Sequence, residues 1–282
     1  MMQKLTNNIL TRSTDKNILI DYFFKKNNQP KPLVVFCHGY KGFKDWGAWN
    51  LVAEAFAEAG FFFVKFNFSH NGGTMEQPID FPDLEAFGEN NYTKELNDLQ
   101  YVLDDVTKAD FEFSSEIDSH AISLIGHSRG GGIVTIKASE ATNISKVISW
   151  AGVSDYASRF PQGEALEAWK NSGEYHVING RTKQEMPHYY QFFEDFQENS
   201  NRLNIERATK KIQIPHLIIH GTTDAAVSVE EAKNLHTWNP KSELYLIENG
   251  NHVFGAHHPW KKTELPNDLA EVVQTTIEFI KA

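Results

Sequence analysis

Short apolar runs, rich in β-branched and aromatic residues, recur along the chain at Ile18–Phe24, Leu33–Cys37, Phe61–Phe68, Ala121–Ile125, Lys146–Trp150, His216–Ile219 and Glu243–Ile247. Each predicts a strand. From the second run onward, most are followed by apolar residues at helical spacing: Trp49, Val52, Ala53, Phe56; then Leu96, Leu99, Leu103, Val106; then Leu269, Val273, Ile277, Ile280. Strands alternating with helices build a mostly parallel sheet covered on both faces, an α/β fold, and burial of both faces explains why the strand runs are almost continuously apolar. Ligands of such sheets sit beyond the carboxyl ends of the strands, so those loops are the place to look for chemistry. No internal repeat or low-complexity tract interrupts the rhythm.

One segment departs from it. From Val153 to about Lys211 no strand run appears, and aromatic residues accumulate, Tyr156, Phe160, Trp169, Tyr175, Tyr189 and Phe192 among them. A structureless loop of that length does not belong in a compact domain, so residues 153–211 are expected to form an inserted, mostly helical cap on a core made of residues 1–152 and 212–282. Its aromatic side chains either pack the cap onto the sheet or, together, wall a pocket, with Trp169 and Tyr189 as candidate substrate contacts.

Composition narrows the function. The chain has 282 residues, 40% of them hydrophobic, and 27 Lys+Arg against 37 Asp+Glu give a net charge of −10. A chain this long buries roughly 75% of its unfolded surface, which excludes disorder. The negative balance opposes binding to nucleic acid, whose phosphates are held by Lys and Arg, and favours a small neutral substrate. The single cysteine, Cys37, cannot form an internal disulfide and suits a reducing compartment. No stretch approaches the ~20 apolar residues of a membrane span, and Met1–Thr11 lacks the apolar core of a signal peptide, so a cytoplasmic protein without membrane association is expected.

The most specific chemical pattern is Gly126-His127-Ser128-Arg129-Gly130, placed between the strand Ala121–Ile125 and a helical run from Ile133 to Ala141. A G-x-S-x-G sequence in that context makes a tight strand-to-helix turn that lifts the serine hydroxyl above the sheet, and only small neighbours tolerate the crowding. A glycine-rich helix start that cradles a phosphate is the other reading of the same residues. A serine hydroxyl needs a base, and the base needs a partner that fixes its tautomer. His220-Gly221-Thr222-Thr223-Asp224 puts a carboxylate just past a strand, and Asn249-Gly250-Asn251-His252 puts an imidazole past the next one, in the order Ser, Asp, His. Alone, Asp224 reads as a turn or helix-cap residue and His252 as a surface histidine. His257, His258 and Asp155 are rivals.

The developing oxyanion also needs donors. One is the backbone N–H of Arg129, the residue after the serine; the other is expected from the glycine-flanked turn His38-Gly39-Tyr40-Lys41-Gly42, where Tyr40 is the candidate. An ordinary tight turn is the plainer reading of that segment. His38, His127 and, in the turn Ser69–Thr74, His70 are further candidates to line the pocket. Cys37 reads as a small buried hydrophobe. The histidines form no recognisable metal set, and neither metal nor organic cofactor is expected.

These segments resemble the α/β-hydrolase superfamily, in particular the serine hydrolases akin to dienelactone hydrolases and to the catalytic domains of prolyl oligopeptidases. The resemblance runs from about Leu33 to the end and rests on the elbow Gly126–Gly130, the His38-Gly39 turn, the segment His220–Asp224 and the loop Gly250–His252. It implies an eight-stranded, mostly parallel sheet whose second strand is antiparallel, with Ile18–Phe24 one of two opening strands and the other between Lys4 and Thr11. It further implies Ser128 as nucleophile, Asp224 as acid, His252 as base, and Tyr40 and Arg129 as oxyanion donors. Similar-sized dienelactone hydrolases carry a cysteine where this chain has Ser128, and the oligopeptidases carry a β-propeller for which residues 1–32 leave no room. The expected activity is therefore hydrolysis of a small or medium carboxylic ester through an acyl-enzyme, ahead of a peptidase or amidase and an acyltransferase. A noncatalytic ligand-binding protein on the same scaffold is the alternative of another class.

Overall fold

The apolar runs pair side by side into one sheet. In the computed structural model, which describes residues 1–13 and 15–282, the strands in chain order are β1 (Met2–Leu10), β2 (Ile18–Lys25), β3 (Lys31–Cys37), β4 (Phe62–Phe66), β5 (Ile117–His127), β6 (Lys146–Trp150), β7 (Glu174–Ile178), β8 (Glu185–Tyr189), β9 (His216–Gly221) and β10 (Glu243–Ile247). Eight of them form the sheet, in the order β1-β2-β4-β3-β5-β6-β9-β10. β2 runs antiparallel to both β1 and β4, and every pairing from β4 to β10 is parallel. This is the mostly parallel eight-stranded sheet, with an antiparallel second strand, that the family resemblance implies.

Side chains along each central strand alternate between two cores. Leu33, Val35 and Cys37 of β3 join one, beneath the helices α3 (Tyr92–Thr107) and α4 (Arg129–Glu140). Val34 and Phe36 join the other, which is closed by α1 (Trp49–Glu58) and α9 (Asn267–Lys281). The apolar spacing read in the sequence is the buried stripe of each helix: Trp49, Val52, Ala53 and Phe56 on α1, and Leu96, Leu99, Leu103 and Val106 on α3. No helix is long and apolar enough to cross a membrane among the described residues. β1 is the strand of this sheet that periodicity did not reveal, because it lies at the edge and is mostly polar and solvent-facing.

Between β6 and β9 lies a long insertion. It contains α5 (Glu164–Ser172), α6 (Gln191–Glu198) and α7 (Ile205–Lys211), and also an antiparallel ribbon of β7 and β8. The ribbon was not legible in the sequence: its strands are five residues each, and Glu174, His176 and Glu185 hide their alternation. The short helix α2 (Leu84–Gly88) packs under β8, and α8 (Val229–Trp238) fills the connection between β9 and β10.

A buried charge cluster anchors the loop after β3. Asp21, in the middle of β2, is fully shielded from solvent and pairs with Lys44 at 2.9 Å and with Lys65. Asp45 closes the cluster at 2.6 Å from each of the two ammonium groups. Burial alone would raise the Asp45 carboxyl; the two lysines hold it below its ordinary range. The Lys44 backbone N–H also donates to Asn67 Oδ1 at 2.6 Å, so the loop is tied both to β2 and to the end of β4. Removing one member leaves uncompensated charge in a dry site. Asp21→Ala is expected to cost about 3–5 kcal/mol, read from the midpoint of urea unfolding; a loss below about 1 kcal/mol would show that water reaches the lysines.

Candidate active site

β5 delivers the chain to Ser128, which sits at φ +57° and ψ −120° as the residue before α4. A non-glycine residue there carries strain of about 1–3 kcal/mol, and the surroundings enforce it. The Ser128 N–H donates to the Trp150 carbonyl at 2.9 Å, and its own carbonyl accepts from Gly131 at 2.9 Å and Val153 at 3.2 Å. The neighbouring glycines are there for space. A Cβ on Gly126 would lie 2.1 Å from the Gly130 carbonyl oxygen, and one on Gly130 would lie 2.4 Å from that of Cys37.

Two loops bring the other groups to the hydroxyl. Asp224 follows β9, and its Oδ1 accepts from the Ala226 and Val227 amides at 2.8 and 2.9 Å, which fixes the carboxylate plane. Its Oδ2 accepts from His252 Nδ1 at 2.7 Å. With that nitrogen protonated, Nε2 of the neutral ring is the acceptor, and it lies 3.0 Å from Ser128 Oγ. Burial alone would raise the Asp224 carboxyl, but hydrogen bonds from His220, His252 and the Val227 amide outweigh it and hold the group far below the carboxylate range. His220, buried beneath the loop, has its Nε2 2.9 Å from the Val227 carbonyl and 3.3 Å from Asp224 Oδ2, so this nitrogen carries the proton. The His252 backbone is held in turn, since its carbonyl accepts from His127 Nε2 at 2.8 Å.

The His38–Gly42 turn abuts the serine: a Cβ on Gly39 would come 2.8 Å from Ser128 Cβ. His38 Nδ1 donates to the Gly39 carbonyl at 2.9 Å and its Nε2 accepts from the Phe68 amide at 3.3 Å, which locks the turn to the end of β4. The amides of Tyr40 and Arg129 have no acceptor among the described residues. Burial lowers His38 to about 4 and His127 to about 3, so both stay neutral at ordinary pH.

Two cavities meet at Ser128, His252 and Tyr40. The larger, about 470 Å³, lies between the carboxyl ends of the strands and the insertion, with Tyr92, Tyr156, Tyr175 and Phe192 in its wall. The smaller, about 130 Å³, is enclosed by His38, Trp46, Trp49 and His127. The insertion is latched to the His38–Gly42 turn through His188. Its Nδ1 faces the Met186 carbonyl at 3.2 Å and must donate, so Nε2 accepts from the Tyr40 hydroxyl at 2.9 Å.

Thus the structure brings Ser128, Asp224, His252, Tyr40 and Arg129 together, and it puts His38 and His127 in the smaller cavity. The other candidates for substrate contact line neither cavity. His70 is occupied by Ser69 Oγ at 2.8 Å, Trp169 is buried and donates to the His188 carbonyl at 2.8 Å, and Tyr189 donates to Glu85 at 2.7 Å. Nor do the rivals reach the serine site. His258 accepts from the Gly47 amide, His257 packs on Trp260, and Asp155 caps the turn at Ala157 and Ser158. Sequence reasoning missed Tyr92, His188, Lys41 and the side chain of Arg129 as cavity residues, because no local pattern marks a contact between distant segments.

No protein-family model matches the chain, and no curated protein does. Solved structures do. Est1E from Butyrivibrio proteoclasticus, a structure with ferulic acid bound, superposes with a TM-score of 0.69 at 21% identity, covering 99% of this chain and 98% of that one. Mouse alpha/beta hydrolase domain-containing protein 10 gives a TM-score of 0.70 at 18% identity, with 97% and 98% covered. The acylaminoacyl peptidase of Pyrococcus horikoshii gives 0.66 at 16% identity, covering 99% of this chain and 41% of that one. The chain has the α/β-hydrolase fold.

Proposed function

We propose that this protein is a serine hydrolase that cleaves a small or medium carboxylic ester through an acyl-enzyme intermediate. The observation that carries the reading is the unbroken line of hydrogen bonds from Asp224 Oδ2 to His252 Nδ1, 2.7 Å, and from His252 Nε2 to Ser128 Oγ, 3.0 Å. His252 takes the hydroxyl proton as Ser128 Oγ attacks the ester carbonyl, and Asp224 holds the ring in the tautomer that can accept it and stabilises the imidazolium. The negative oxygen of the tetrahedral intermediate takes hydrogen bonds from the free amides of Tyr40 and Arg129. His252 then protonates the departing alkoxide. Water, deprotonated by the same imidazole, attacks the acyl-serine and releases the acid.

Cavities on both sides of the hydroxyl suit a substrate with an acyl part and an alcohol part of unequal size. A panel of 4-nitrophenyl esters, aminoacyl 4-nitroanilides and thioesters of matched acyl length tests the leaving group: esters are expected to lead in kcat/KM. Turnover of the anilides alone would make the protein an amidase on the same residues.

The acid side of the pH profile follows from the neighbours of the base. Asp224 stays ionised in mild acid, and His38 and His127, lowered by burial to about 4 and about 3, stay neutral there. None of these three groups changes its charge between pH 7 and 5, so the acid limb of kcat/KM for a 4-nitrophenyl ester is expected to have a slope no greater than one. A slope of two would mean that one of them titrates in that range after all.

A further inference from the structure

The charge lining the larger cavity opposes the charge of the molecule. The chain carries −10 overall, yet among the described residues those facing this cavity include the cations Lys41, Arg129 and Arg159 and not one carboxylate. The acidic groups nearby are turned away or used. Asp224 is covered by His252, and Glu231 is taken by Arg159 and by the Ser154 amide. Arg129 stands out among the three cations. Its side chain retains 14% exposure, and its guanidinium lies 4.4 Å from the Tyr40 ring centre, 5.2 Å from Tyr92 and 5.4 Å from Phe192, all in the cavity wall. Of its five N–H donors, the one bonded among the described residues is on Nη1, to Glu95 Oε1 at a long 3.3 Å, and that oxygen also accepts from Asn90 at 2.8 Å. Glu95 thus compensates the arginine incompletely, and most of the planar fork is left for another acceptor. Lys41 borders both cavities, its ammonium 4.9 Å from the Tyr40 ring centre, and its charged neighbour is Arg129.

Two cations that repel one another, desolvated beside a nucleophilic serine, are an arrangement that an anion relieves. We infer that the ester hydrolysed here carries a carboxylate on the part that fills the larger cavity, held by the Arg129 guanidinium and supported by Lys41. This rests on the proposed ester hydrolysis and specifies its substrate class. The neutral substrate expected from the overall charge is thereby replaced, because a −10 sum over a whole molecule says nothing about the sign at the bottom of one cavity. A guanidinium suits this role, because its fork matches a carboxylate with two parallel bonds while the rings stacked on it fix its plane. Charge on the substrate also leaves the chemistry unaltered, since the bond made by Ser128 and the alkoxide released are the same as for a neutral ester.

The test compares matched esters. The mono-4-nitrophenyl ester of glutaric acid, with its free carboxylate, is set against 4-nitrophenyl pentanoate; 4-acetoxybenzoate against 4-acetoxybenzamide puts the carboxylate on the alcohol side. The expected result is a preference of roughly tenfold or more in kcat/KM for the carboxylate in one pair. That ratio should drop towards one in Arg129→Gln and fall partway in Lys41→Gln. Equal or lower kcat/KM for the carboxylate in both pairs overturns the inference while leaving ester hydrolysis in place, and so does a carboxylate-to-neutral ratio that stays at the parent's value in Arg129→Gln, whatever the absolute rate of that variant. Because that variant strips Glu95 of its cation and can fail to fold, the unaltered protein supplies a second reading. Glutarate should slow fluorophosphonate labelling of Ser128 and glutaramide should not; equal protection by both, or by neither, overturns the inference. Absence of both labelling and turnover sinks the underlying hydrolase reading instead.

Discussion

Ser128→Ala is expected to reduce kcat on a 4-nitrophenyl ester by on the order of 10⁴- to 10⁶-fold. Nothing else in the site can take over. Asp224 is shielded behind His252, the hydroxyls of Tyr40 and Tyr156 are committed to His188 and to the Arg129 carbonyl at 2.9 Å each, and those of Tyr92 and Tyr175, also in the wall of the larger cavity, make no hydrogen bond to His252. The residual rate comes from the Tyr40 and Arg129 amides, which still stabilise an oxyanion formed by direct attack of water. The fold should survive, since the elbow is held by the Ser128 backbone amide and carbonyl and not by its hydroxyl. Stopped-flow release of 4-nitrophenolate together with an unchanged thermal midpoint checks both halves. A variant that retained more than about one tenth of the parent rate would remove Ser128 from the reaction.

Asp224→Asn is expected to lose on the order of 10⁴-fold in kcat with little change in shape. The carboxylate uses Oδ2 for both His252 Nδ1 and His220 Nε2 and Oδ1 for the Ala226 and Val227 amides, so an amide in its place can serve only one of the two sets with its oxygen. If that oxygen faces the Ala226 and Val227 amides, which can only donate, the NH₂ group faces His252, whose ring is driven to the tautomer with the proton on Nε2. That nitrogen then offers Ser128 a donor where an acceptor is needed. The substitution has a cost in stability as well, with a definite sign. A carboxyl held below its unfolded value stabilises the fold at pH above that value, and the contribution disappears as pH falls through the folded value. The thermal midpoint of Asp224→Asn should therefore lie below the parent's at neutral pH and approach it in strong acid. Equal midpoints at pH 7 would indicate that the carboxylate is less well satisfied than its hydrogen bonds imply.

What could be read from the sequence was set by local geometry. A serine forced to φ +57° between a strand and a helix needs glycines where a Cβ would strike backbone, so Gly126 and Gly130 flank it in any readable version of the turn. Asp224 and His252 were legible for a related reason: each follows a strand of the sheet by a few residues, and parallel strands in one sheet deliver their trailing loops to a common edge. The apolar runs marked seven strands of the sheet and faded at the polar edge strand Met2–Leu10; the count of eight came from the family resemblance.

The cavity was a different matter. Trp169 and Tyr189 looked like pocket residues because they are aromatic and lie in the insertion, yet one is spent on packing and on the His188 carbonyl and the other on Glu85. His188 and Tyr92 do line the cavity, brought there by a ribbon and by the start of a helix that are far apart in the chain. The Asp21, Lys44 and Lys65 cluster was equally invisible, since three charges scattered over separate segments look like three surface residues until the sheet folds them together. Arg129 is instructive in another way. Its position in the elbow announced a role for its backbone N–H, while the direction of its side chain depends on Tyr40, Tyr92 and Phe192, none of them nearby in sequence.

The most direct measurement is the site and rate of phosphonylation by a fluorophosphonate, read by mass spectrometry of the intact protein and of its peptides. One phosphonyl group is expected per chain, on the peptide containing Ser128, at a rate that collapses in His252→Ala because only the neutral imidazole activates the hydroxyl. An adduct on any other residue, or equal labelling rates with and without His252, would contradict the serine–histidine relay.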